Sequence, residues 1–326
     1  MKTIRIGLLG ASRIAPGAVI APAAEIEGVA VSCVAARQQE RARAFAEEHR
    51  IPKVETDYAA LVASDKVDLV YNGLPPSEHA KWSIAALKAG KHVLCEKPFA
   101  MNAAEAQSMI EAAQETGRHL IEAFHYRFHP LFERILQVLR SGEIGPITKI
   151  ESHFNVPIAA TPGELRYDQE LGGGAFMDLG CYPVHWARTV MNTEPEVLSA
   201  RADWHESGVD TAMSAELEFP GGVPAQLESS MSETLPKGGD AVLKVFGKLG
   251  TLTAKNPLAP HAGHELIIEV DNDRRVEDVK GNATYFHQLQ HVVSVVRGET
   301  TPFTGGADAV NNMRVLDEVY RHAGRG

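Results

Sequence analysis

Gly10-Ala11-Ser12-Arg13-Ile14-Ala15 follows the apolar run of residues 4–9 and precedes a segment with helical character. The spacing matches the Gly-x-Gly-x-x-Ala pattern of dinucleotide-binding turns, except that Ser12 replaces the second glycine. That glycine normally lets the backbone approach a pyrophosphate. A serine adds little bulk, and its hydroxyl can bond a phosphate oxygen. Because the turn lies between a predicted strand and a predicted helix, it indicates the phosphate-binding turn of a Rossmann domain.

The first third of the chain alternates between strand and helix patterns. Hydrophobic periodicity predicts strands at 4–9, 29–36, 67–71, 92–95 and 120–123, and helices at 38–49, 78–89 and 102–116. Repeated β-α-β units imply a parallel sheet with right-handed crossovers. We therefore predict an N-terminal Rossmann domain, a doubly wound parallel sheet, over residues 1–124.

After residue 124 the pattern changes: an amphipathic helix is predicted at 130–141, several β-like runs follow without intervening helices, and two late helices are predicted at 285–297 and 307–322. Such a pattern is typical of an α+β domain with an open, mainly antiparallel sheet. We assign residues 125–326 to this domain and expect it to bind substrate. A chain of 326 residues suits two domains, so the predicted fold class is α/β with a second α+β domain.

Composition excludes several classes of function. A formal net charge of −10 argues against a general nucleic-acid or anionic-membrane binder. No run of apolar residues is long enough to span a membrane. Cys33, Cys95 and Cys181 are far apart and form no CxxC motif, which predicts neither a disulfide framework nor a zinc cluster. We expect a reducing, cytoplasmic setting.

A lysine follows the predicted strand 92–95, in Cys95-Glu96-Lys97-Pro98. Open α/β sheets place ligands at the carboxyl ends of their strands, so Lys97 is expected to face whatever the glycine turn binds. The loop after strand 67–71 leaves the same edge of the sheet. Four of its residues are predicted to line the cofactor groove: Asn72, Leu74, Pro75 and His79.

Cofactor choice is predicted from the end of the second strand. NAD-binding folds usually carry an acid there for the ribose 2′-hydroxyl, whereas this strand ends in Ala36-Arg37 with no acid before Glu40. A guanidinium can bond a 2′-phosphate bidentately, which favours NADP (NADPH) over NAD. The alternative is that Arg37 is only a surface residue at a helix start. The predicted cofactor contacts are Gly10, Ala11, Ser12, Arg13, Ile14, Ala36, Arg37, Asn72, Leu74, Pro75, His79, Glu96, Lys97 and Arg127.

A second constellation lies between Gly172 and His185. Three successive glycines allow close backbone approach to a ligand or to a neighbouring segment. Asp178, Tyr182 and His185 are spaced by four and three residues, so on a helix they project to one side and can supply acid–base chemistry and hydrogen bonds to a polyol. The pair His125 and His129 has metal-ligand spacing but no third ligand, so we predict that this segment lines the site and that no metal binds.

These motifs together resemble the Gfo/Idh/MocA oxidoreductases, which keep a Glu-Lys-Pro at the position of Glu96-Lys97-Pro98. The wider family has Gly-Gly-Gly followed by Asp-x-Gly-x-His-x-x-Asp, whereas this chain has Tyr182 and His185 in place of the histidine and the second aspartate. The tyrosine version is similar to the branch that contains glucose–fructose oxidoreductase, dimeric dihydrodiol dehydrogenase and NADP-dependent xylose dehydrogenase. Further likeness to that branch lies in Val34-Ala35-Ala36-Arg37 and in His205–Asp210.

The resemblance implies a reaction and its residues. It makes Lys97, Asp178 and Tyr182 catalytic, with Tyr182 as acid/base and Lys97 assisting, in hydride transfer between NADP(H) and a secondary alcohol or ketone of a sugar or cyclic diol. Substrate contacts are expected from His125, Asp178, Tyr182 and His185, and for His185 packing of the helix is an equally open alternative. It also implies a homodimer or higher homo-oligomer. Two other functions stay open: an NAD-dependent redox glycosidase, and a dinucleotide sensor without catalysis.

Overall fold

The computed structural model describes residues 3–325 and divides them into two compact units. The first unit contains the residues up to His125 together with Tyr285–Val310, and the second contains Tyr126–Thr284 and the residues from Asn311 onward. The first unit is therefore discontinuous in sequence, whereas we expected all residues after 124 in the second domain. The boundaries of independently folding domains stay a prediction.

The first unit is built on a six-stranded parallel sheet. Its strands are β1 (Ile4–Leu9), β2 (Val29–Ala35), β3 (Lys53–Val54), β4 (Leu69–Asn72), β5 (His92–Cys95) and β6 (Leu120–Glu122), in the spatial order β3-β2-β1-β4-β5-β6. This is the strand order of the doubly wound dinucleotide fold. In the register, Leu9 lies opposite Ala35 and Asn72, and Asn72 lies opposite Cys95. The loops that follow these strands therefore leave the sheet at one edge.

Helices cover the sheet of the first unit. They are α1 (Ala21–Glu25), α2 (Gln39–Glu48), α3 (Tyr58–Ala63), α4 (Pro76–Lys88) and α5 (Ala103–Thr116), and a wide turn at Pro16–Ile20 leads into α1. A later helix, Thr284–Val296, joins the same core through Leu289, Val292, Val293 and Val295. Its apolar residues recur at helical spacing, so the stripe is buried against the sheet and brings a distant part of the chain into this unit.

The second unit is built on an eight-stranded sheet and helices. Its helices are α6 (Pro130–Ser141), α7 (Cys181–Met191) and the part of α9 (Ala307–His322) from Asn311 onward. The later helix of the first unit, Thr284–Val296, is α8. Its strands are β7 (Ile147–Asn155), β8 (Glu196–Trp204), β9 (Asp210–Phe219), β10 (Val223–Ser230), β11 (Asp240–Gly247), β12 (Gly250–Lys255), β13 (Glu265–Val270) and β14 (Asp273–Glu277).

This sheet has the order β14-β13-β12-β11-β7-β10-β9-β8, and its pairs are antiparallel except for the parallel pair of β7 and β10. The predicted fold class, with a mainly antiparallel second sheet, is confirmed. The sequence patterns missed three strands. Strand β3 has two residues, β12 carries one large apolar residue in Gly250-Thr251-Leu252-Thr253-Ala254-Lys255, and the residues of β14, Asp273-Arg274-Arg275-Val276-Glu277, show little apolar alternation.

Alternation along the central strands gives the second sheet one buried face. On β9 the side chains of Met213, Ala215, Leu217 and Phe219 are buried, while Glu216 and Glu218 between them are exposed. Helix α7 packs against β7 and β10. The helix that carries Tyr182 thus rests on a rigid sheet. Between residues 3 and 325, no helix combines the length and the apolar character needed to cross a bilayer.

Candidate active site

The glycine turn after β1 is shaped by close approach of the backbone. Gly10 has a φ of +91°, and its N–H donates to the carbonyl oxygen of Ala35 at 2.8 Å. A Cβ at Gly10 would lie 3.1 Å from Leu74 Cδ2, so the position needs a glycine for both conformation and space. The Oγ atom of Ser12 is buried and bonds to none of the described residues. An unsatisfied hydroxyl at this point of the turn fits a phosphate oxygen as its missing partner.

The end of β2 carries two guanidinium groups. Arg37 is exposed, which fits both a contact with a 2′-phosphate and the alternative of a surface residue. Arg41 donates from Nη2 to the carbonyl oxygen of Ala11 at 2.9 Å. Burial raises the pKa of Tyr58, and the charges of Arg37 and Arg41 act against that rise. Both cations therefore lie within electrostatic reach of one phenol. Arg41 was not predicted as a cofactor contact. Its position four residues after Arg37, in the first turn of a helix, could have indicated a second positive charge near the 2′-phosphate.

The segment around Lys97 is held by a buried glutamate. Glu96 accepts a hydrogen bond from the Tyr71 hydroxyl at 2.8 Å and from the Lys97 N–H at 3.3 Å. Burial, followed by the charge of Glu96, raises the pKa of Tyr71 well above its ordinary value, so the phenol stays protonated and donates. The backbone of Lys97 is thereby tied to β4. Whether Glu96 or Lys97 meets the cofactor stays a prediction.

His79 and Asn72 connect the loops at the same edge of the first sheet. The His79 ring is fully buried, with Nε2 at 2.8 Å from the carbonyl oxygen of Leu74 and Nδ1 at 3.0 Å from that of Pro98. Burial lowers the pKa of His79 to about 4, so the ring is neutral. Asn72 donates from Nδ2 to the His79 carbonyl oxygen at 3.1 Å and to Ser83 Oγ at 3.0 Å. These side chains join the loops after β4 and β5, and their contact with a cofactor stays a prediction.

The segment His125–Phe128 is a single 3-10 turn rather than a longer helix. In the first unit the His125 ring lies 4.1 Å from the ring of Tyr285. In the second unit, the Arg127 guanidinium lies 5.6 Å over the ring of Phe132, and His129 caps α6 by accepting the Leu131 N–H at Nδ1 (3.0 Å). The spacing of His125 and His129 therefore belongs to a turn followed by a helix cap, and not to two ligands on one helical face.

The glycine run before Asp178 lies close to the backbone of the segment 166–168. Gly174 has a φ of +126°, and its N–H donates to the carbonyl oxygen of Arg166 at 2.9 Å. The Gly173 N–H donates to the carbonyl oxygen of Asp168 at 2.8 Å, and a Cβ at Gly173 would lie 2.6 Å from the Arg166 oxygen. The sequence left open whether the glycines allow close approach of a ligand or of a neighbouring segment. The described contacts of Gly173 and Gly174 are with the neighbouring segment 166–168.

A buried aspartate and tyrosine hold the start of the helical segment that bears the site. Asp210 accepts the Phe176 N–H at 2.7 Å and the Tyr320 hydroxyl at 2.7 Å, and the Tyr320 oxygen accepts the Met177 N–H at 3.1 Å. Burial raises the pKa of Asp210, because the charged form loses water. Asp178 follows directly in the wide turn Phe176–Gly180 that leads into α7.

Asp178 forms an ion pair that was not predicted. Its Oδ2 lies 2.5 Å from Nε of Arg166, whose Nη1 donates to Glu164 Oε1 at 2.9 Å. Burial opposes the charge of Arg166, yet its pKa is raised because Asp178 and Glu164 outweigh that effect. A usable signal in the sequence was an arginine with acids two residues before and after it, in Glu164-Leu165-Arg166-Tyr167-Asp168, a few residues before the glycines.

Tyr182 lies in the first turn of α7, in an aromatic environment, and is 4 % exposed. Its ring centroid is 6.0 Å from that of Tyr126, 5.6 Å from Phe154 and 6.1 Å from Trp186. The ring of His185 lies 5.7 Å from the same Tyr126 ring, and its Nδ1 is 2.5 Å from the Tyr126 oxygen. Tyr182 and His185 therefore share one face of α7, and that face is nearly closed to water.

Comparison with known proteins decides the family. Residues 4–124 match the family described as "Oxidoreductase family, NAD-binding Rossmann fold", and residues 132–253 match the GFO/IDH/MocA C-terminal domain. The chain belongs to the GFO/IDH/MocA oxidoreductase family. The predicted family and its enzyme class, a nicotinamide-dependent oxidoreductase, are thus confirmed.

Relatives of this GFO/IDH/MocA protein match over nearly its whole length. A D-xylose 1-dehydrogenase (NADP(+)) from Haloferax volcanii is 35 % identical over 98 % of this chain and 97 % of its own. A trans-1,2-dihydrobenzene-1,2-diol dehydrogenase from Xenopus tropicalis is 39 % identical over 98 % of this chain and 97 % of its own. The crystal structure of a 3-ketoreductase from Actinomadura kijaniata, in complex with NADP and TDP-benzene, superposes with a TM-score of 0.91 at 27 % identity and covers 98 % of both chains.

Proposed function

We propose that this protein is an NADP(H)-dependent oxidoreductase that transfers hydride between the nicotinamide and a secondary alcohol or ketone of a sugar or cyclic diol. The observation that carries the proposal is Tyr182 in its aromatic environment, four residues after an Asp178 that Arg166 pairs with. A phenol beside a carboxylate can exchange a proton with a hydroxyl and hold that hydroxyl in place. Relatives named for D-xylose and for a dihydrodiol support the same substrate range.

The first unit supplies residues that fit NADP. The Gly10 turn brings backbone N–H groups and the unsatisfied Ser12 hydroxyl to the place where a pyrophosphate binds in this fold. Arg37 and Arg41 supply positive charge at the end of β2, where a 2′-phosphate needs it. Bound NADP would supply the carbon that donates or accepts the hydride. The relative from Haloferax volcanii is named as NADP-dependent, in agreement with this choice.

The second unit supplies the proton chemistry in this proposal. In the oxidation direction Tyr182 takes the substrate hydroxyl proton, and in the reduction direction it returns that proton to the forming alkoxide. A free phenol has a pKa of about 10, so it needs a neighbouring cation to act as a base near neutrality, and we assign that role to Lys97. Asp178 accepts hydrogen bonds from substrate hydroxyls. The nearly dry aromatic surroundings of Tyr182 strengthen each of these electrostatic effects.

Steady-state assays with NADP+ and NAD+ across neutral sugars and cyclic diols test the proposal. We expect reduced nicotinamide to accumulate in proportion to the oxidised substrate, and faster with NADP+. Release of sugar from a glycoside without net reduced nicotinamide would show the redox glycosidase instead. Cofactor binding without either reaction would show the dinucleotide sensor.

The oligomeric state belongs to the same proposal. Leu198 and Trp204 on β8 are about half exposed (50 % and 42 %), an unusual exposure for large apolar side chains on a sheet edge. They support a homodimer, which light scattering coupled to size-exclusion chromatography tests directly. The cytoplasmic setting stays an expectation from the sequence.

A further inference from the structure

Arg166 lies between two carboxylates and has donor capacity left over. Its Nε pairs with Asp178 at 2.5 Å and its Nη1 with Glu164 at 2.9 Å. The Nη2 atom makes no hydrogen bond to any residue between 3 and 325, although the side chain is only 36 % exposed. A guanidinium has five N–H donors in a fixed planar arrangement, so holding two of them also fixes the direction of the remaining ones.

The backbone of Arg166 is fixed from both sides. Its carbonyl oxygen accepts the Gly174 N–H at 2.9 Å, in the crossing that needs a glycine at position 173. The next residue, Tyr167, donates from its hydroxyl to the Ile158 carbonyl oxygen at 2.9 Å and packs against the buried cluster that contains Leu179. The glycine run therefore places Arg166 beside the segment that carries Asp178 and Tyr182.

The charges of this group select among substrates. Two carboxylates, Glu164 and Asp178, flank the guanidinium of Arg166, so a carboxylate or phosphate on the substrate that approaches Nη2 also approaches two like charges. A neutral hydroxyl both donates and accepts, and it can therefore accept from Arg166 while it donates to Asp178. An alcohol with a single hydroxyl offers this group only the oxygen that reacts, whereas a polyol offers a second hydroxyl that can bond to it, so the polyol gains binding free energy.

We propose that Arg166 is a substrate-binding residue that holds Asp178 with Nε and binds a substrate oxygen with Nη2, and that the pair selects neutral polyhydroxy substrates over sugar acids and over alcohols with a single hydroxyl. This inference rests on the proposed function for the location of the substrate. It goes further because it assigns the substrate class to one named residue outside the Asp178–Tyr182–His185 constellation.

Equilibrium binding to the NADPH-saturated protein tests the inference without turnover. Calorimetric titrations would use D-xylose, D-glucuronate, which is the same ring with an added carboxylate, trans-cyclohexane-1,2-diol and cyclohexanol. We expect wild type to bind the xylose at least about 10-fold more tightly than the glucuronate, and the diol more tightly than cyclohexanol. Arg166→Gln should weaken binding of xylose and of the diol by about 10-fold or more and leave cyclohexanol binding unchanged.

A matched arginine controls for loss of an ion pair. Arg134 pairs with Glu277 at 2.7 Å in the same unit. The side chains of Arg134 and Glu277 are 35 % and 22 % exposed, close to the 36 % and 18 % of Arg166 and Asp178. Arg134→Gln should leave polyol binding unchanged, and both variants should keep the NADPH affinity of wild type. Arg166→Lys keeps the positive charge beside Asp178 without the planar array of donors, so it should fold normally and still bind polyols more weakly.

The outcomes separate this inference from the proposed function. Binding of polyols that depends on Arg166, without any NADP-linked turnover, would remove the proposed function and leave the inference standing. Wild-type affinity in Arg166→Gln and Arg166→Lys would overturn the inference even in an active enzyme. Equal affinity for D-xylose and D-glucuronate, or no polyol binding at all, would overturn it as well.

Discussion

The phenolic oxygen of Tyr126 lies 2.5 Å from Nδ1 of His185, and both side chains are almost fully buried. One ring nitrogen of His185 is thus engaged inside the second unit, on the face of α7 that also carries Tyr182. This contact favours His185 as a residue that packs and orients this face. The sequence pattern left substrate contact and helix packing equally open for His185. The assignment of the acid/base role can be tested by comparing Tyr182 with His185.

We expect Tyr182→Phe and Lys97→Met to lower kcat by at least about 100-fold, the usual scale for loss of an acid–base group, with much less effect on the Kd for NADPH. In wild type, alcohol oxidation should rise with pH through one ionisation between neutrality and about 10, because the phenolate is the base. Ketone reduction should fall through the same ionisation. Rates measured where chemistry is limiting check both limbs.

His185→Ala is the matched comparison for this profile. If Tyr182 is the base, alcohol oxidation by His185→Ala should still rise with pH through the same ionisation, even if the variant is slower than wild type. A limb near about 6.5 that disappears in His185→Ala would transfer the role to the imidazole. A profile that Tyr182→Phe does not change would show that the tyrosine assignment is wrong.

Arg37→Asp should weaken NADP binding by about 10-fold or more, because a charge-assisted phosphate contact is lost and a like charge is introduced. The difference between the affinities for NADP and NAD should therefore become smaller. Arg43→Asp, on the helix α2 that follows Arg37, is an exposed control that changes net charge equally and should leave the ratio of the two affinities unchanged. Fluorescence titrations with NADPH and NADH measure both. Tighter binding of NAD by wild type would contradict the cofactor assignment.

His79 should make folding sensitive to mild acid. Burial lowers its pKa to about 4, compared with 6.5 for an ordinary imidazole, so the unfolded chain binds a proton that the folded chain does not. Its contribution is fully present above about pH 6.5 and is lost as the pH falls toward about 4. Between pH 7 and pH 5 this amounts to about 2 kcal/mol of the free energy of unfolding.

Urea denaturation at pH 7 and at pH 5 gives the loss of unfolding free energy on acidification for wild type and for His79→Gln. The difference between these two losses measures the contribution of His79. His79→Gln should lose less stability on acidification than wild type, whatever its stability at pH 7. His261→Gln, at an exposed histidine, should lose as much as wild type. Equal losses in all three proteins would mean that His79 binds its proton over the same pH range in the folded and in the unfolded chain.

Tyr320→Phe should lower the free energy of unfolding by about 1–3 kcal/mol, because Asp210 loses a donor at 2.7 Å while its carboxylate stays buried. It should also lower kcat, since the Met177 N–H loses its acceptor just before Asp178. In the double variant with Asp210→Asn the loss of stability should be smaller than the sum of the single losses, because the buried charge is gone. Additive losses would show that the two side chains act independently.

The first sheet was largely predictable because its signals are local. Strand β5 and the turn at Gly10 each depend on neighbouring residues, through apolar runs and a glycine that needs a positive φ. Helix α6 was predicted to the residue, since Pro130 can begin a helix and Gly142 can end one. Short or charged strands such as β3 and β14 escaped because they carry too few apolar residues to show a period.

The sequence by itself determined the fold class, the family and the residue types of the candidate site, since all of these follow from short-range spacing and recognisable motifs. Only the tertiary structure showed that Arg166 pairs with Asp178, that Tyr126 pairs with His185, and that α8 joins the first unit. Such pairings depend on which backbones approach each other. The crossing of Gly173 and Arg166 illustrates the reason: a missing Cβ permits a close approach, but spacing along the chain does not say which segment makes it.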